Sequence, residues 1–433
     1  MSNSTAPTIV ILGGGFTGLF TALHLSRHNH SQPIILIDRS DRFTFNPLLY
    51  EFLSGEMHET QVYPRYEELL AGKNITFVQD TVQAIDLPQR RVQLASDTHY
   101  CYSYLVLALG CVASYFGIEG AKENCLCFRN GQDAIKLAQQ LRDRLQQATQ
   151  TEDASQRQKL LTVAIVGGGP SGVELAATLA DLLPKWYAKL GGDAQEIRVV
   201  LIDREPKLLA GGAKGGFKSE LHDTAQAALG QRNVPVELLL GATVTAVHPE
   251  SVEFQRNDQT ETLAATTVVW TAGTTTNPLI QQLPISEANR DRHGRLHVTS
   301  TLQLIEYPEV FAGGDCAANI EHPMPPTAQV AYQQGATIAQ NLRSLFQGEE
   351  LIPGEVNLRG ILLKLGLGES AASIFNRFEV TGKAGHAIRQ ATYLSLLPTP
   401  IHNVQAATQW LVDEIFDRHC HPADLTGVAI SKE

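Results

Sequence analysis

The chain of 433 residues is long enough for two or three domains, and its 43% hydrophobic and 18% charged content is that of an ordinary globular protein. A formal net charge of −11 argues against a nucleic-acid partner. Six scattered cysteines (101, 111, 125, 127, 316 and 420) include a CxC but no CxxC, a pattern that fits reduced, mostly structural thiols better than a disulfide framework or a zinc site.

In chain order, only the polar MSNSTAP precedes the first apolar run, too little for a signal or transit peptide. TIVILGGGFTGLFTALHL (8–25) then reads as strand, GxGxxG turn and helix, with glycines Gly13, Gly15 and Gly18. A second apolar run, IILIDR, ends in Asp38. The longest uncharged run, CYSYLVLALGCVASYFGI (101–118), is broken by Gly110, Ser114 and Gly117 and predicts a buried strand followed by a turn, not a membrane span.

The first unit then recurs. LTVAIVGGGPSGVELAATL (161–179) has the same strand, the glycines Gly167, Gly169 and Gly172, and the same helix pattern, and VVLIDR ends in Asp203. In such a unit the first glycine permits the tight turn and the second lets the backbone approach a pyrophosphate. The third lets helix pack on strand, and the phosphate sits at the helix N-terminus. The acid some 20–30 residues on accepts hydrogen bonds from an adenosine ribose. Two such sites predict an α/β protein with two Rossmann-like dinucleotide-binding domains. YLVLALG (104–110) and TVVWTAG (267–273) add a strand with a small-residue turn to each, with Gly110 and Gly273 close to the dinucleotides. VFAGGDCA (310–317) places Asp315 after a strand and a glycine pair.

The order GxGxxG…ALG…GxGxxG…TAG…GGD resembles the two-dinucleotide-binding flavoproteins. The resemblance implies FAD at the first site, NAD(P)H at the second, and contact of Asp315 with the ribityl and phosphate region of the flavin. The absence of CxxC argues against the disulfide-reducing branch. Cys111 and Cys316 fall near the cofactor but read as small buried residues rather than redox-active thiols.

FNPLLYEFLSG (45–55), GGGPSGVELA (167–176) and PPTAQVAYQQG (325–335) look like signature segments of type II NAD(P)H:quinone oxidoreductases, flavoenzymes of membrane surfaces. The segment 362–403 resembles in particular the cyanobacterial and plastid branch associated with demethylphylloquinone, a naphthoquinone. Glu51 stands where many relatives have glutamine. The implied activity is hydride transfer from NAD(P)H to FAD and two electrons on to a membrane quinone. The implied organisation is a FAD-binding domain of residues 1–120 and 292–351, a NAD(P)H-binding domain of 121–291, and a C-terminal region, 352–433, for membrane contact or dimerisation. The location implied is cytoplasmic and peripheral, at a thylakoid or plasma membrane of the cyanobacterial kind, with a homodimer left open.

A helix starting near Thr327 behind Pro326 would point its positive end at the flavin, with Ala328 beside the cofactor. Gln329 and Gln333, four apart on one face, are candidate catalytic and quinone-binding amides, able to donate to a carbonyl without bringing charge. Bonding of backbone or water is the alternative for both. Pro47, Leu48, Leu49 and Tyr50 are candidates for the quinone wall, or for the core. Glu174, at the place of Phe20 in the first repeat, is the candidate for an electrostatic role at the nicotinamide, against simple complementation of its helix N-terminus. Asp203 favours NADH, and Arg204 beside it favours NADPH.

Five basic residues (Arg359, Lys364, Arg377, Lys383 and Arg389) against Glu369 and Glu379 in 356–400 predict a locally basic tail facing anionic lipid, with a dimerisation or core-packing element as the alternative. His419, Cys420 and His421 read as exposed tail, and no metal is expected. Two alternatives remain open. One is a ferredoxin or rubredoxin reductase of the same fold, and the other a flavin redox sensor.

Overall fold

The computed structural model describes residues 7–27, 32–210, 219–358, 360–374 and 378–415. The first βαβ unit is β1 (Ile9–Leu12), α1 (Phe16–Ser26) and β2 (Ile34–Asp38). It is followed by α2 (Leu49–Ser54), β3 (Thr76–Gln79), β4 (Tyr104–Leu107) and β5 (Cys111–Ala113). The second unit is entered at β6 (Leu126–Cys127) and comprises β7 (Thr162–Val166), α3 (Pro170–Lys189), β8 (Arg198–Asp203), β9 (Glu237–Leu240) and β10 (Thr267–Trp270). From there β11 (Thr274–Thr276) leads back to β12 (Val310–Ala312) and α4 (Ala328–Gln347). The described part ends with β13 (Gly360–Gly366), β14 (Glu369–Ile374), β15 (Phe378–Val380), α5 (Gly382–Ser395) and α6 (Pro400–Ile415).

Two five-stranded parallel sheets result, ordered β12-β4-β1-β2-β3 and β9-β8-β7-β10-β6. Each repeat's first strand is central because helices cover both faces, so IVIL and TVAIV are buried at every position. The uncharged run 101–118 supplies β4 and then β5, which pairs antiparallel with β11 as a two-strand link between the sheets. No described helix is long and apolar enough to cross a membrane.

The C-terminal region folds back on the body instead of standing off it. β13 packs along α3, whose acids Glu174 and Asp181 lie seven residues apart on one face and accept the backbone N–H groups of Lys364 (2.8 Å) and Leu367 (3.0 Å). This corrects the expectation of a lipid-facing basic tail. Lys364 and Arg389 are fully buried, only Lys383 of the described basic residues is exposed, and Arg359 and Arg377 lie outside the described residues. His419, Cys420 and His421 also lie outside them.

Candidate active site

A cavity of about 1030 Å³ opens at the carboxyl edge of the first sheet, where ligands of open α/β sheets bind. Gly13, Gly15, Phe16, Thr17, Asp38, Gly110 and Asp315 line it. Gly13 is left-handed (φ +95°), and a Cβ on Gly18 would collide with the Gly13 carbonyl. A Cβ on Gly15 would meet only open space, so this glycine leaves room for a ligand. α1 has neither a side-chain cap nor an acid in its first turn, and the residues that open it, Gly15, Phe16 and Thr17, line the cavity. Asp38 accepts the N–H groups of Gly14 (2.6 Å) and Ser40 (2.8 Å), and burial raises its pKa. These features fit FAD: donors for a pyrophosphate, a carboxylate for the ribose, and Asp315 farther along the cavity.

At that farther end Thr327 caps α4 by accepting from the Val330 N–H at 3.3 Å, and Thr327, Ala328 and Ala331 line the cavity. The helix start and Ala328 are where the sequence puts them. Gln329 and Gln333 share a face, as their spacing requires, but it is turned to the following chain segment. Gln329 donates to the Gly360 carbonyl (3.0 Å). Gln333 donates to Asn357 (3.2 Å) and accepts from its N–H (3.0 Å). The neighbouring Gln334, a weaker candidate from sequence, is buried and accepts the Gly314 N–H at 2.7 Å, fastening the GGD loop.

Sequence reasoning missed Arg129. It lines the cavity and donates to the Cys111 carbonyl (3.2 Å) and Sγ (3.0 Å), while Cys111 Sγ donates to Asp315 (3.0 Å). Burial, and then the Asp315 carboxylate, push the Cys111 thiol up to about 11, and burial pushes Cys316 up to about 12. Both shifts favour the protonated thiol near neutral pH. The one local hint at Arg129 was the capped helix start after it, where the Asn130 side chain accepts from Asp133.

The second glycine turn repeats the first. Gly167 is left-handed (φ +116°), a Cβ on Gly172 would collide with the Gly167 carbonyl, and Gly169 has open space. Asp203 accepts from the N–H groups of Gly168 and, at 2.7 Å, Glu205. Arg204 is paired on the surface with Glu205 at 3.3 Å. Gly273 has φ +69° in the turn after β10.

Tyr50 joins the two units: it is buried and donates to Ser171 Oγ at 3.1 Å, inside the second glycine turn. Glu174 lies beyond the first turn of α3, so it does not act as the simple helix-start acid. It faces a buried ionic cluster instead. Lys364 reaches Glu51 (3.2 Å) and Glu56 (2.6 Å). Arg389 contacts Glu51 and lies 3.5 Å from Glu174 and 2.5 Å from the Pro47 carbonyl. Burial raises the pKa of Glu174 to about 7, against the opposing pull of Arg389. Burial also works against ionised Glu56, but the Lys364 ammonium outweighs it and holds Glu56 at about 2. Pro47, Leu48, Leu49 and Tyr50 are thus bound up with this cluster and the core, and none of them lines the cavity.

Two βαβ units, each with an open glycine turn and a ribose-type acid, define a two-dinucleotide oxidoreductase. The pyridine nucleotide-disulphide oxidoreductase family matches residues 7–335, and the chain belongs to it, among the type II NAD(P)H:quinone oxidoreductases. The chain is 34% identical over 423 residues to the demethylphylloquinone reductase NdbB of Synechocystis sp., covering 95% of this chain and 97% of that protein. It is 30% identical to the alternative NAD(P)H-ubiquinone oxidoreductase C1 of Arabidopsis thaliana, covering 95% and 82%. In fold it matches the NDH2 of Plasmodium falciparum solved with NADH, with a TM-score of 0.84, 19% identity, and 96% and 99% of the two chains covered.

Proposed function

We propose that this enzyme passes electrons from NADH, in preference to NADPH, through FAD to a membrane naphthoquinone such as demethylphylloquinone. The observation that carries the reading is the union of the two sites: one flavin-sized cavity, and a second glycine turn tied to the first unit through Tyr50 and Ser171. FAD, when bound, supplies the two-electron relay between nicotinamide and quinone. The protein binds, orients and keeps out water. Gly13, Gly15, Gly18, Asp38, Gly110, Asp315 and Ala328 hold the flavin; Gly167, Gly169, Gly172, Asp203 and Gly273 hold the nicotinamide nucleotide. The Arg204–Glu205 pair supports the preference for NADH, because a matched arginine has less charge to offer a 2′-phosphate.

The quinone enters where α4 begins, beside Asn357 and Gly360. Gln329 and Gln333 serve there by exchanging their present backbone bonds for a quinone carbonyl, since each such bond is worth only about 1 kcal/mol net. Pro47 and Tyr50 are the further quinone-binding candidates of this proposal. The membrane is met by α6, whose Ile401, Val404 and Leu411 are exposed, instead of by basic residues. A lipid surface fits this face because the substrate is lipid-soluble. Sedimentation with liposomes supports this contact, and a stable dimer that hides the same face from lipid overturns it.

The test of function is oxidation of NADH by the FAD-loaded enzyme with a demethylnaphthoquinone, a benzoquinone or ferredoxin as acceptor. Fast turnover with the naphthoquinone is expected. Ferredoxin reduction without quinone reduction overturns the reading.

A further inference from the structure

Residues 115–118 form a tight turn in which the Ile118 N–H donates to the Tyr115 carbonyl at 2.9 Å. Both central residues are left-handed, Phe116 at φ +52° and Gly117 at φ +71°. A turn with two positive φ values favours Asn, Asp or Gly, because a Cβ there meets the backbone. Phenylalanine is among the least suited residues for that place. Its ring is not buried in compensation, since Phe116 is 60% exposed. Strain of this kind persists where the surroundings hold it, and it collects at ligand-contacting sites.

The turn is fastened to the end of β10. Trp270 Nε1 donates to the Ser114 carbonyl (2.9 Å), the Ser114 N–H donates to the Gly273 carbonyl (3.3 Å), and the Tyr115 ring lies 5.6 Å from that of Trp270. The Phe116 ring therefore covers the open side of Gly273, where a Cβ would overlap it. The same turn of chain borders the second glycine loop. A Cβ on Gly167 would press on Ala272, and Thr271 Oγ1 donates to the Val166 (2.9 Å) and Gly167 (3.1 Å) carbonyls.

Which half of the dinucleotide the ring would meet follows from strand order. The ribose acid Asp203 ends β8 on one side of β7, while β10 and Phe116 lie on the other. A dinucleotide crossing the sheet edge from Asp203 over the Gly167 turn brings its far half to β10. On that side β5, a few residues before Phe116, begins with Cys111 in the flavin cavity.

We propose that the exposed Phe116 ring is a wall of the NAD(P)H site that contacts the nicotinamide half of the dinucleotide, so that the strained turn serves to present it. The inference rests on the NAD(P)H-donor reading and not on the identity of the quinone. An aromatic contact of this kind accounts for about a three- to tenfold change in affinity.

Phe116→Gly removes the ring and suits the left-handed backbone, so it should fold at least as well as the parent, which the thermal midpoint checks. Calorimetric titration of the oxidised, FAD-loaded protein with NAD⁺ and, separately, with ADP-ribose reads the contact without turnover. A Kd for NAD⁺ raised about three- to tenfold with ADP-ribose unchanged is expected. Phe116→Tyr should keep the parental value. If NAD⁺ binding is unchanged, or both ligands weaken alike, the ring is only part of the link between the sheets and the proposal is overturned. Failure of quinone turnover would leave this binding result intact, so the two readings fail separately.

Discussion

The two glycine-turn units share a local sequence but have different surroundings. In the first, α4 lies against α1: the hydroxyls of Thr17 and Thr21 each donate at 3.1 Å, to the carbonyls of Ala331 and Gly335, and Tyr66 donates to the Gly14 carbonyl at 2.7 Å. Phe20 stacks with Phe16 and lies against Tyr332. In the second, the position of Phe20 is taken by Glu174, and β13 with Lys364 and Arg389 packs where α4 packs in the first. An apolar roof suits a resident cofactor. The second unit has a charged neighbour with a titrating carboxylate instead.

The strongest way to break this comparison is to close each turn in its own variant. Gly18→Val should yield protein without visible flavin absorbance, whereas Gly172→Val should keep its flavin and raise the Kd for NADH by about ten- to a hundredfold. Loss of flavin from both would mean that the second turn is not a separate site. Next in size, Arg389→Leu leaves Glu51 and Glu174 short of a buried cation. Its stability should fall by about 3–5 kcal/mol, read from the denaturant midpoint.

Glu174 sharpens the electrostatic half of the contrast. Its pKa near 7 means that the carboxylate goes from mostly protonated at about pH 6 to mostly ionised at about pH 8. If Glu174 has the proposed electrostatic role, its ionised form would favour positive charge developing on the nicotinamide. Bleaching of the flavin by NADH in stopped flow should therefore accelerate by a factor of a few over that range. Glu174→Gln should be slower and flat, and an unchanged profile would remove Glu174 from the step. The smallest effect concerns Glu205. Glu205→Gln frees Arg204 at the surface and should lower the KM for NADPH about two- to fivefold with NADH unaffected, as expected for an exposed pair.

Both dinucleotide turns, their acids and the start of α4 were legible because each rests on a local requirement. A tight turn needs glycine, a ribose needs an acid at the strand end, and a helix after proline needs a cap. The direction of Gln329 and Gln333 was not legible. Their spacing puts them on one face, but which neighbour that face meets depends on where Asn357 and Gly360 return. Lys364 and Arg389 illustrate the same limit: in sequence they are basic residues in a tail, and only the packing of β13 and α5 on α3 and α2 brings carboxylates to them.

From the chain alone, then, come the repeated βαβ unit, its two ligands and the kinship with quinone-reducing flavoproteins, since these depend on short-range geometry and motif order. The tertiary structure decided which groups meet at a distance: Tyr50 with Ser171, Glu51 with Arg389, and Phe116 with Gly273. Partners over 100 residues apart carry no mutual spacing signal, and burial joins them only when the whole core closes.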